Sequence, residues 1–504
     1  MSRKITGIGE TVLDIVFKDD QPKAAIPGGS TFNAMISLGR TAARDFPQTE
    51  VSMVTETGDD HVGDIVTSFM EANGVGTDAV TRNKGTQTHI SLAFLDDGNN
   101  AQYQFYKDHA SASLIEDKVS GISFCKDDLV LFGSYFAINP KIRNYTSALL
   151  HKAHDTGAIL YYDINFRKSH LKDLADTYDN IVENCSLSDI VRGSDEDFGY
   201  LFGTTDPEEV YCKHISPLCP LFICTCGPEP IHIFTPSLHL TIPVPQVETV
   251  STIGAGDNFN AGLLYSLLAK GLGKDRLCDI QAEEWKDIVD IADSFSIEVC
   301  RSMDNYVDRD FVPGLELRNA APEDAPLIAQ CLSAAVGMYD FQGDPDDDGK
   351  KSLAVLEELA RMEDSLYSYR NTVVVSVCGK EAGCFVTYPG DIYEKGRKKT
   401  WALFKERMGG NGSATSAVSD PETGPGEYYF DSAALLPQFR GNGILKYLMK
   451  LGLKKAKSLG YERVTLIVLK EHPKLVSYYA SIGFEPESEL KFMGETYIKM
   501  ACRP

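Results

Sequence analysis

TIGAGD, at residues 252–257, runs directly into NFNAG, at residues 258–262. The small residues Gly254, Ala255 and Gly256 allow backbone N–H groups to converge where a helix begins and its dipole favours an anion. Asp257 adds a carboxylate beside that anion site, at the place where a base must take a proton from an attacking hydroxyl. The pattern predicts phosphoryl transfer to an alcohol. A plain tight turn before a helix is the competing interpretation.

The residues after Asp257 predict the helix itself. Phe259, Leu263 and Leu267 recur at every fourth position, and Gly271 offers a C-terminal stop. At 504 residues the chain is too long for one ordinary core, so we expect two or three domains.

Composition excludes some classes of function. Hydrophobic residues make up 43% of the chain, as in globular proteins. The net charge is −23, and this negative charge argues against nucleic-acid and anionic-membrane partners. No apolar run reaches the length of a membrane span, and the first residues lack the apolar core of a signal peptide. Twelve cysteines without the spacing of a disulfide scaffold fit a reducing compartment. We therefore expect a cytoplasmic protein.

Three N-terminal features predict further parts of a site. An opening strand over residues 5–17 carries Asp14, and the paired glycines Gly28 and Gly29 precede a helix that contains Asn33. Two alternating runs between Thr86 and Tyr106 predict a hairpin, with Tyr103 among the candidates for its ligand-side face. A Gly-Gly turn that only ends a segment, and a plain edge hairpin, are the alternatives.

Together, TIGAGD and the run PGGSTFN at residues 27–33 resemble the signatures of the ribokinase/PfkB family of sugar kinases. The resemblance implies a three-layer α/β/α domain with a small β lid over residues 1–312, and ATP and Mg²⁺ as cofactors. It implies that Asp257 is the base, that residues 254–256 form the anion site, and that the sugar hydroxyls are held by Asp14, Gly28, Gly29 and Asn33.

Two further runs are similar to the fructokinase and ketodeoxygluconate kinase members of that family. These are Phe105-Tyr106-Lys107, and the strand end Asp163-Ile164-Asn165-Phe166-Arg167. The resemblance implies substrate contacts for Lys107, Asp163 and Arg167, although Arg167 in a structural salt bridge is an alternative. We also expect a possible homodimer through the lid.

The nucleotide side departs from the family pattern. Ser194 and Asp197 stand where the family has Asn-x-x-Glu, and Ser251 replaces an aspartate that helps to form a monovalent-cation site. Thr225 and Gly227 match a family Thr-x-Gly strand end. The resemblance assigns ATP binding to Ser194, Asp197, Thr225, Gly227 and Thr252, with Asp197 reaching Mg²⁺ through water. A non-catalytic domain that senses sugar or nucleotide is the alternative function.

The pattern restarts after Pro313-Gly314. A strand over residues 428–437 leads into QFRGNGI at residues 438–444 and then into an amphipathic helix. This arrangement resembles the GNAT acetyltransferases, which implies an α+β domain over residues 315–504 that moves acetyl from acetyl-CoA to an amine. The implied cofactor contacts are Leu435, Leu436, Gln438, Arg440, Gly441, Asn442, Gly443 and Ile444.

Tyr479 lies four residues before Gly483-Phe484, where the GNAT resemblance implies the acid that protonates the coenzyme A thiolate. A buried core tyrosine is the alternative. Asp431 and Glu427 are candidates for the base that accepts the amine's proton, because they lie on the central strand. The sequence as a whole predicts a fused enzyme whose partners are a sugar and an amine.

Overall fold

The computed structural model describes residues 3–95, 101–106, 121–247, 249–335, 347–408 and 420–504. It divides the chain into two compact units, Met1–Pro313 and Gly314–Pro504. None of the helices within the described ranges is both long and apolar enough to cross a membrane.

The first unit is built on a nine-stranded sheet. Its strands are β1 (Lys4–Ile8), β4 (Glu50–Gly58), β5 (Val80–Asn83), β8 (Leu129–Gly133), β9 (Ile159–Asp163), β10 (Ile190–Ser194), β11 (Phe222–Cys226), β12 (Glu229–Thr235) and β13 (Leu238–Ile242). They lie in the order β13-β12-β11-β10-β9-β8-β1-β4-β5. The run from β11 to β5 is parallel, and β12 and β13 close one edge as an antiparallel hairpin.

Helices cover both faces of this sheet. They are α1 (Ser30–Asp45), α2 (His61–Ala72), α3 (Ser134–Ile138), α4 (Arg143–Asp155), α5 (Leu174–Leu187), α6 (Asp195–Phe202), α7 (Pro207–Val210), α8 (Ala255–Ala269) and α9 (Ala282–Cys300). On one face, α4, α5 and α6 pack on a core that includes Phe132 and Tyr162. On the other, the buried Tyr161 donates from its hydroxyl to Asn260 of α8 at 2.7 Å. The fold is the three-layer α/β/α arrangement that the sequence predicts.

A separate four-stranded sheet forms the lid. It contains β2 (Val12–Lys18), β3 (Gln21–Gly28), β6 (Ile90–Leu95) and β7 (Ala101–Tyr106), in the order β3-β2-β6-β7. The predicted hairpin corresponds to β6 and β7. The single strand expected over residues 5–17 is wrong, because the chain leaves the main sheet after Ile8 and re-forms as β2. The break falls at Gly9, where a Cβ would lie 2.5 Å from the Thr31 hydroxyl oxygen.

The second unit has a seven-stranded mixed sheet. Its strands are β14 (Leu315–Asn319), β15 (Thr372–Val377), β16 (Lys380–Pro389), β17 (Tyr428–Leu435), β18 (Val464–Leu469), β19 (Glu485–Phe492) and β20 (Glu495–Cys502), in the order β14-β15-β16-β17-β18-β20-β19. The helices are α10 (Ala325–Ala335), α11 (Asp347–Arg361), α12 (Tyr393–Met408), α13 (Ile444–Ser458) and α14 (Pro473–Ala480). This is the predicted α+β class.

One strand pair shapes the centre of the second unit. β17 and β18 run parallel but pair only at Tyr428 with Val464 and at Tyr429 with Thr465. Beyond that point both strands continue for several residues without pairing with each other, so they diverge toward the start of α13.

Candidate active sites

The first candidate site lies where α8 begins. Gly254 precedes the helix with a φ of 77°, a left-handed conformation that glycine adopts without strain, and no side chain among the described residues caps this N-terminus. Asn258 fixes the turn, because its side-chain amide donates to the carbonyls of Gly254 (2.8 Å) and Asn305 (2.9 Å). The first-turn amides are therefore held at an uncapped helix start, the geometry that binds anions.

Asp257 lies in the first turn of α8 and is held by two donors from the other glycine-rich motif. The Ser30 hydroxyl donates to Oδ1 at 2.7 Å and the Asn33 amide to Oδ2 at 2.9 Å. Burial raises the pKa of Asp257 above its ordinary value, and these two hydrogen bonds partly oppose the shift. The result is an oriented carboxylate with a strengthened affinity for a proton, which suits a general base.

A cavity of about 420 Å³ opens in front of Asp257. Its lining includes Asp14, Gly29, Asn33, Arg167 and Gly254 together with Asp257, so residues predicted separately from the sequence share one space. Burial raises the pKa of Asp14 to about 6, although a hydrogen bond from Ser91 acts against it. Parts of β2, α1, α8 and the loop after β9 thus form one site.

The paired glycines are sterically required. A Cβ on Gly28 would lie 2.5 Å from Asp14 Oδ2, and one on Gly29 would lie 2.4 Å from the Glu10 carbonyl oxygen. Gly29 also has a φ of 127°. The two glycines therefore allow the chain to pass close to Asp14 and to enter α1.

The second unit has its own helix start at α13, which no described side chain caps. Gly443 precedes it with a φ of 77°, and Gly441 has a φ of 84°. Gln438, Asn442 and both glycines are exposed, while Leu435 and Ile444 are buried at either end of the loop. The loop is anchored by Leu436 N–H, which donates to the Ala382 carbonyl at 2.8 Å. It leaves an open, anion-binding helix start beside the diverging strands.

Comparison with known proteins identifies the first unit. Residues 3–301 match the family model described as pfkB family carbohydrate kinase. The chain belongs to the pfkB family. Fructokinase-2 of Solanum habrochaites is 25% identical over 244 residues, which cover 48% of this chain and 73% of the relative. The fructokinase of Rhizobium leguminosarum bv. trifolii is 28% identical over 269 residues, covering 51% and 78%.

Solved pfkB-type structures share the fold. A fructokinase double mutant from Vibrio cholerae O395, solved with fructose, ADP and potassium ion, has a TM-score of 0.52 at 20% identity and covers 60% of this chain and 94% of its own. A fructokinase with bound ATP from Xylella fastidiosa has a TM-score of 0.51 at 20% identity, with the same two coverages. In the second unit, residues 401–484 match the Acetyltransferase (GNAT) family model.

Asp163 lies deeper in this pfkB unit than the sequence suggests. Its Oδ1 is 3.0 Å from Arg192 Nη1, and its Oδ2 accepts from the Asn260 amide at 2.8 Å. Arg192 also donates to the Thr225 hydroxyl at 2.7 Å. Asp163 is absent from the cavity lining among the described residues. Asp163 therefore forms a buried ion pair beneath the site, and its direct contact with a substrate stays a prediction.

Arg192 is a site residue that the sequence analysis missed. A Cβ on Gly256 would lie 2.9 Å from its Nη2, so the guanidinium lies directly against the anion-binding turn. Burial acts to lower the pKa of Arg192, but Asp163 and its other partners raise it above the ordinary value. The sequence signal that could have revealed Arg192 is its charge, because the other residues of β10 are apolar or small.

On the nucleotide side, Ser194 and Asp197 interact with each other. Asp197 Oδ2 accepts from both the backbone N–H and the hydroxyl of Ser194, each at 2.8 Å, in a capping box that begins α6. Burial raises the pKa of Asp197 to about 6. Thr225 and the exposed, left-handed Gly227 follow on the neighbouring strand end, and Thr252 is exposed before α8. Tyr103 lies on β7, whereas Lys107 lies outside the described residues.

In the GNAT unit, Tyr479 is half-buried on α14, with Phe484 edge-on at a ring distance of 6.2 Å, and burial raises its pKa. Arg440 donates from Nε to the Leu435 carbonyl at 2.9 Å, which folds it back over the strand end. Glu427, the other candidate base, is held in two ion pairs. Burial acts to raise its pKa, but hydrogen bonds from Lys499 (2.8 Å) and Arg463 (2.9 Å) bring it down to about 2.

Proposed function

We propose that this chain is a bifunctional enzyme. Residues 1–312 transfer the γ-phosphoryl group of ATP to a sugar hydroxyl, and residues 315–504 transfer acetyl from acetyl-CoA to an amine. The observation that carries the kinase half is Asp257, held by Ser30 and Asn33 at an uncapped helix start and facing the cavity that also contains Asp14. A base, an anion site and a polar sugar cavity thus lie together, as transfer to an alcohol requires.

In this proposal Asp257 takes the proton of the attacking hydroxyl, and the amides of residues 254–256 stabilise the charge that develops on the transferred group. Asp14 and Asn33 orient the sugar. Mg²⁺ neutralises phosphate charge when the nucleotide is bound. Within the described ranges no group of three or more His, Cys, Asp or Glu side chains is placed to hold a metal ion. The phosphates would therefore supply its main ligands, with Asp197 near its water shell.

A ketose is the sugar class that we propose, because several fructokinases are among the relatives and Arg167 lines the cavity. The test is sugar-dependent ADP release by the full chain over ketohexoses, aldohexoses, pentoses, nucleosides and keto-deoxy acids. Release with fructose or another ketose supports the proposal. Release with a different class keeps the kinase and corrects the substrate.

The capping box favours a second candidate function. Because Ser194 and Asp197 satisfy each other, the groups that stand in place of the family's magnesium-organising pair are partly withdrawn from the nucleotide. A domain that senses sugar or nucleotide and regulates the acetyltransferase would then remain. This second candidate function predicts that calorimetry detects sugar binding while no sugar causes ADP release. An active kinase would release ADP with the sugar that it binds.

For the acetyltransferase half, the loop from Gln438 to Gly443 would bind the pyrophosphate of acetyl-CoA, with Leu435, Leu436 and Ile444 beside it. A tyrosine with its ordinary pKa of about 10 is protonated at neutral pH, and burial raises the pKa of Tyr479 further, so it carries the proton that the departing thiolate needs. The test is amine-dependent release of free coenzyme A thiol. Dimerisation through the lid stays a prediction that sedimentation analysis would test. A cytoplasmic location stays a prediction that cell fractionation would test.

A further inference from the structure

Two carboxylates of the GNAT unit lie among tyrosine hydroxyls. Glu422 accepts from Tyr393 at 2.9 Å on Oε1 and from Tyr429 at 2.8 Å on Oε2. Asp431 Oδ2 accepts from Tyr388 at 2.5 Å, and its other oxygen from the neighbouring serine at 2.8 Å. The described residues bring neutral hydroxyl donors, rather than an ion-paired Lys or Arg, to all four oxygens. A cationic partner of the pair would therefore find no competing ion pair at these hydrogen-bonding positions.

The pair is coupled. Burial, and then the charge of Asp431, raises the pKa of Glu422 to about 7, while Tyr429 and Tyr393 oppose the shift. Burial likewise raises the pKa of Asp431. Like charges at such a site titrate as a unit that holds one proton near neutrality. The titratable and charged groups that face the pair from the surrounding elements are Tyr367, Tyr388, Tyr393, Arg397, Tyr429 and Tyr497.

The position of Asp431 links the pair to the place where β17 and β18 stop pairing with each other. Val386 pairs with Ser432 and Thr387 with Phe430, so Asp431 is the extra residue of a β-bulge. A bulge turns its side chain out of the regular alternation. Asp431 follows the last parallel pairing, at Tyr429, by two residues. It precedes Leu435 by four residues of strand, roughly 13 Å. The carboxylates thus lie where the strands separate, one stretch of strand from the proposed cofactor loop.

The cluster has an outer and an inner side. Glu422, Asp431 and Tyr367 are partly exposed as residues, although burial of their polar groups raises their pKa values, whereas Tyr388, Tyr393 and Tyr429 are fully buried. Tyrosine rings and hydroxyls around an acidic pair form an environment that attracts an organic cation. Glu427, the other acid near this strand, is already neutralised by its ion pairs.

Building on the acetyl transfer proposed above, we propose that Glu422 and Asp431 receive the acceptor as a primary alkylammonium ion and take one of its protons. The resulting free amine attacks the thioester carbonyl, the C–N bond forms and the C–S bond breaks. The thiolate takes a proton from Tyr479, and the second nitrogen proton restores that tyrosine. The products are the N-acetyl amine, coenzyme A as its thiol, and one proton that leaves the carboxylate pair for solvent.

The test compares two nucleophiles on the full chain, with coenzyme A thiol release as the readout. A panel of cationic primary amines, including spermidine, needs the carboxylates, whereas hydroxylamine is neutral at pH 7 and does not. Glu422→Gln should lower kcat/KM for the cationic amine by roughly 100- to 10,000-fold. Its rate with hydroxylamine should fall far less. Unchanged acetyl-CoA affinity, measured by calorimetry, confirms that the variant is folded.

The pH profile separates proton transfer from a structural role. Activity with the cationic amine should rise with pH through the titration of the pair. This rise forms the acidic limb of the pH profile. Asp431→Asn removes the neighbouring charge and should move this acidic limb down by about one pH unit. Tyr429→Phe removes a donor that stabilises ionised Glu422 and should move it up. Glu427→Gln is the matched control, because its carboxylate is already ionised at low pH, and it should leave the limb in place.

The outcomes are distinct. No transfer to either nucleophile overturns the proposed acetyl transfer and this acceptor site with it. Transfer to hydroxylamine alone, or an equal loss of both activities in Glu422→Gln, overturns only the ammonium site. A limb that stays in place in Asp431→Asn and Tyr429→Phe also overturns it. Selective loss of the cationic amine together with opposite limb shifts supports it.

Discussion

Replacement of Arg192 by methionine tests the buried ion pair beneath the kinase site. The side chains of Arg192 and Asp163 are only 7% and 4% exposed, and they meet at 3.0 Å. Methionine keeps most of the volume but removes the charge, which leaves Asp163 with Asn260 as its remaining donor. Breaking such a pair from one side costs about 3–5 kcal/mol, because the other charge stays buried without its partner.

The double variant Arg192→Met/Asp163→Asn removes both members of the ion pair and should recover to within about 1 kcal/mol of the unsubstituted chain.

The assay is urea unfolding followed by tryptophan fluorescence. The chain has two tryptophans, Trp285 buried in the first unit and Trp401 in the second. In a Trp401→Phe background, Trp285 alone reports on the unit that contains Arg192. The reasoning is refuted if Arg192→Met costs less than about 1 kcal/mol at pH 8, or if the double variant is no more stable than the single one.

Three other changes have defined outcomes. Asp14→Asn should raise the unfolding free energy of the first unit by about 1–3 kcal/mol at pH 8, since a pKa raised to about 6 means that the ionised group opposes folding there. The gain should vanish toward pH 4 in urea titrations, while sugar affinity by calorimetry falls. Glu427→Ala should cost about 1–3 kcal/mol at pH 7, because its ion pairs are partly exposed. That contribution is full above pH 4.5 and lost as the pH falls toward 2, so unchanged denaturation at pH 7 would contradict it. Gly443→Val should weaken acetyl-CoA binding about tenfold in calorimetry by straining a residue with a φ of 77°. Gly460→Val, at a φ of 84° beyond the far end of the same helix, should leave that affinity unchanged.

Much of the kinase site could be predicted because its parts are local. Gly254 must adopt a left-handed conformation where α8 begins, and Asp257 follows within the same turn, so a short motif specifies both. Likewise, Gly28 and Gly29 are fixed by contacts with nearby chain, including Asp14 and Glu10. Such features are specified by a few adjacent residues. Asp14, Gly29, Gly254 and Asp257 line one cavity.

The missed features depend on contacts between distant residues. Arg192 binds Asp163 and Thr225, which are 29 and 33 positions away, and no spacing rule reveals such pairings. Glu422 precedes β17 outside any motif, and only folding brings it to Asp431. The ion-pair partners of Asp163 and Glu427 could not be predicted for the same reason. A carboxylate at a strand end is equally compatible with a ligand contact and an ion pair until its partners are known.

Phosphoryl transfer with Asp257 as the base is tested most directly by Asp257→Asn, which keeps the size of the side chain and removes its basicity. With the sugar that gives ADP release, we predict a fall in kcat of roughly 100- to 10,000-fold. Sugar affinity by calorimetry should stay within a few-fold, and the exposed Asp155→Asn should behave like the unsubstituted chain. An Asp257→Asn variant that releases ADP at the original rate would contradict the assignment.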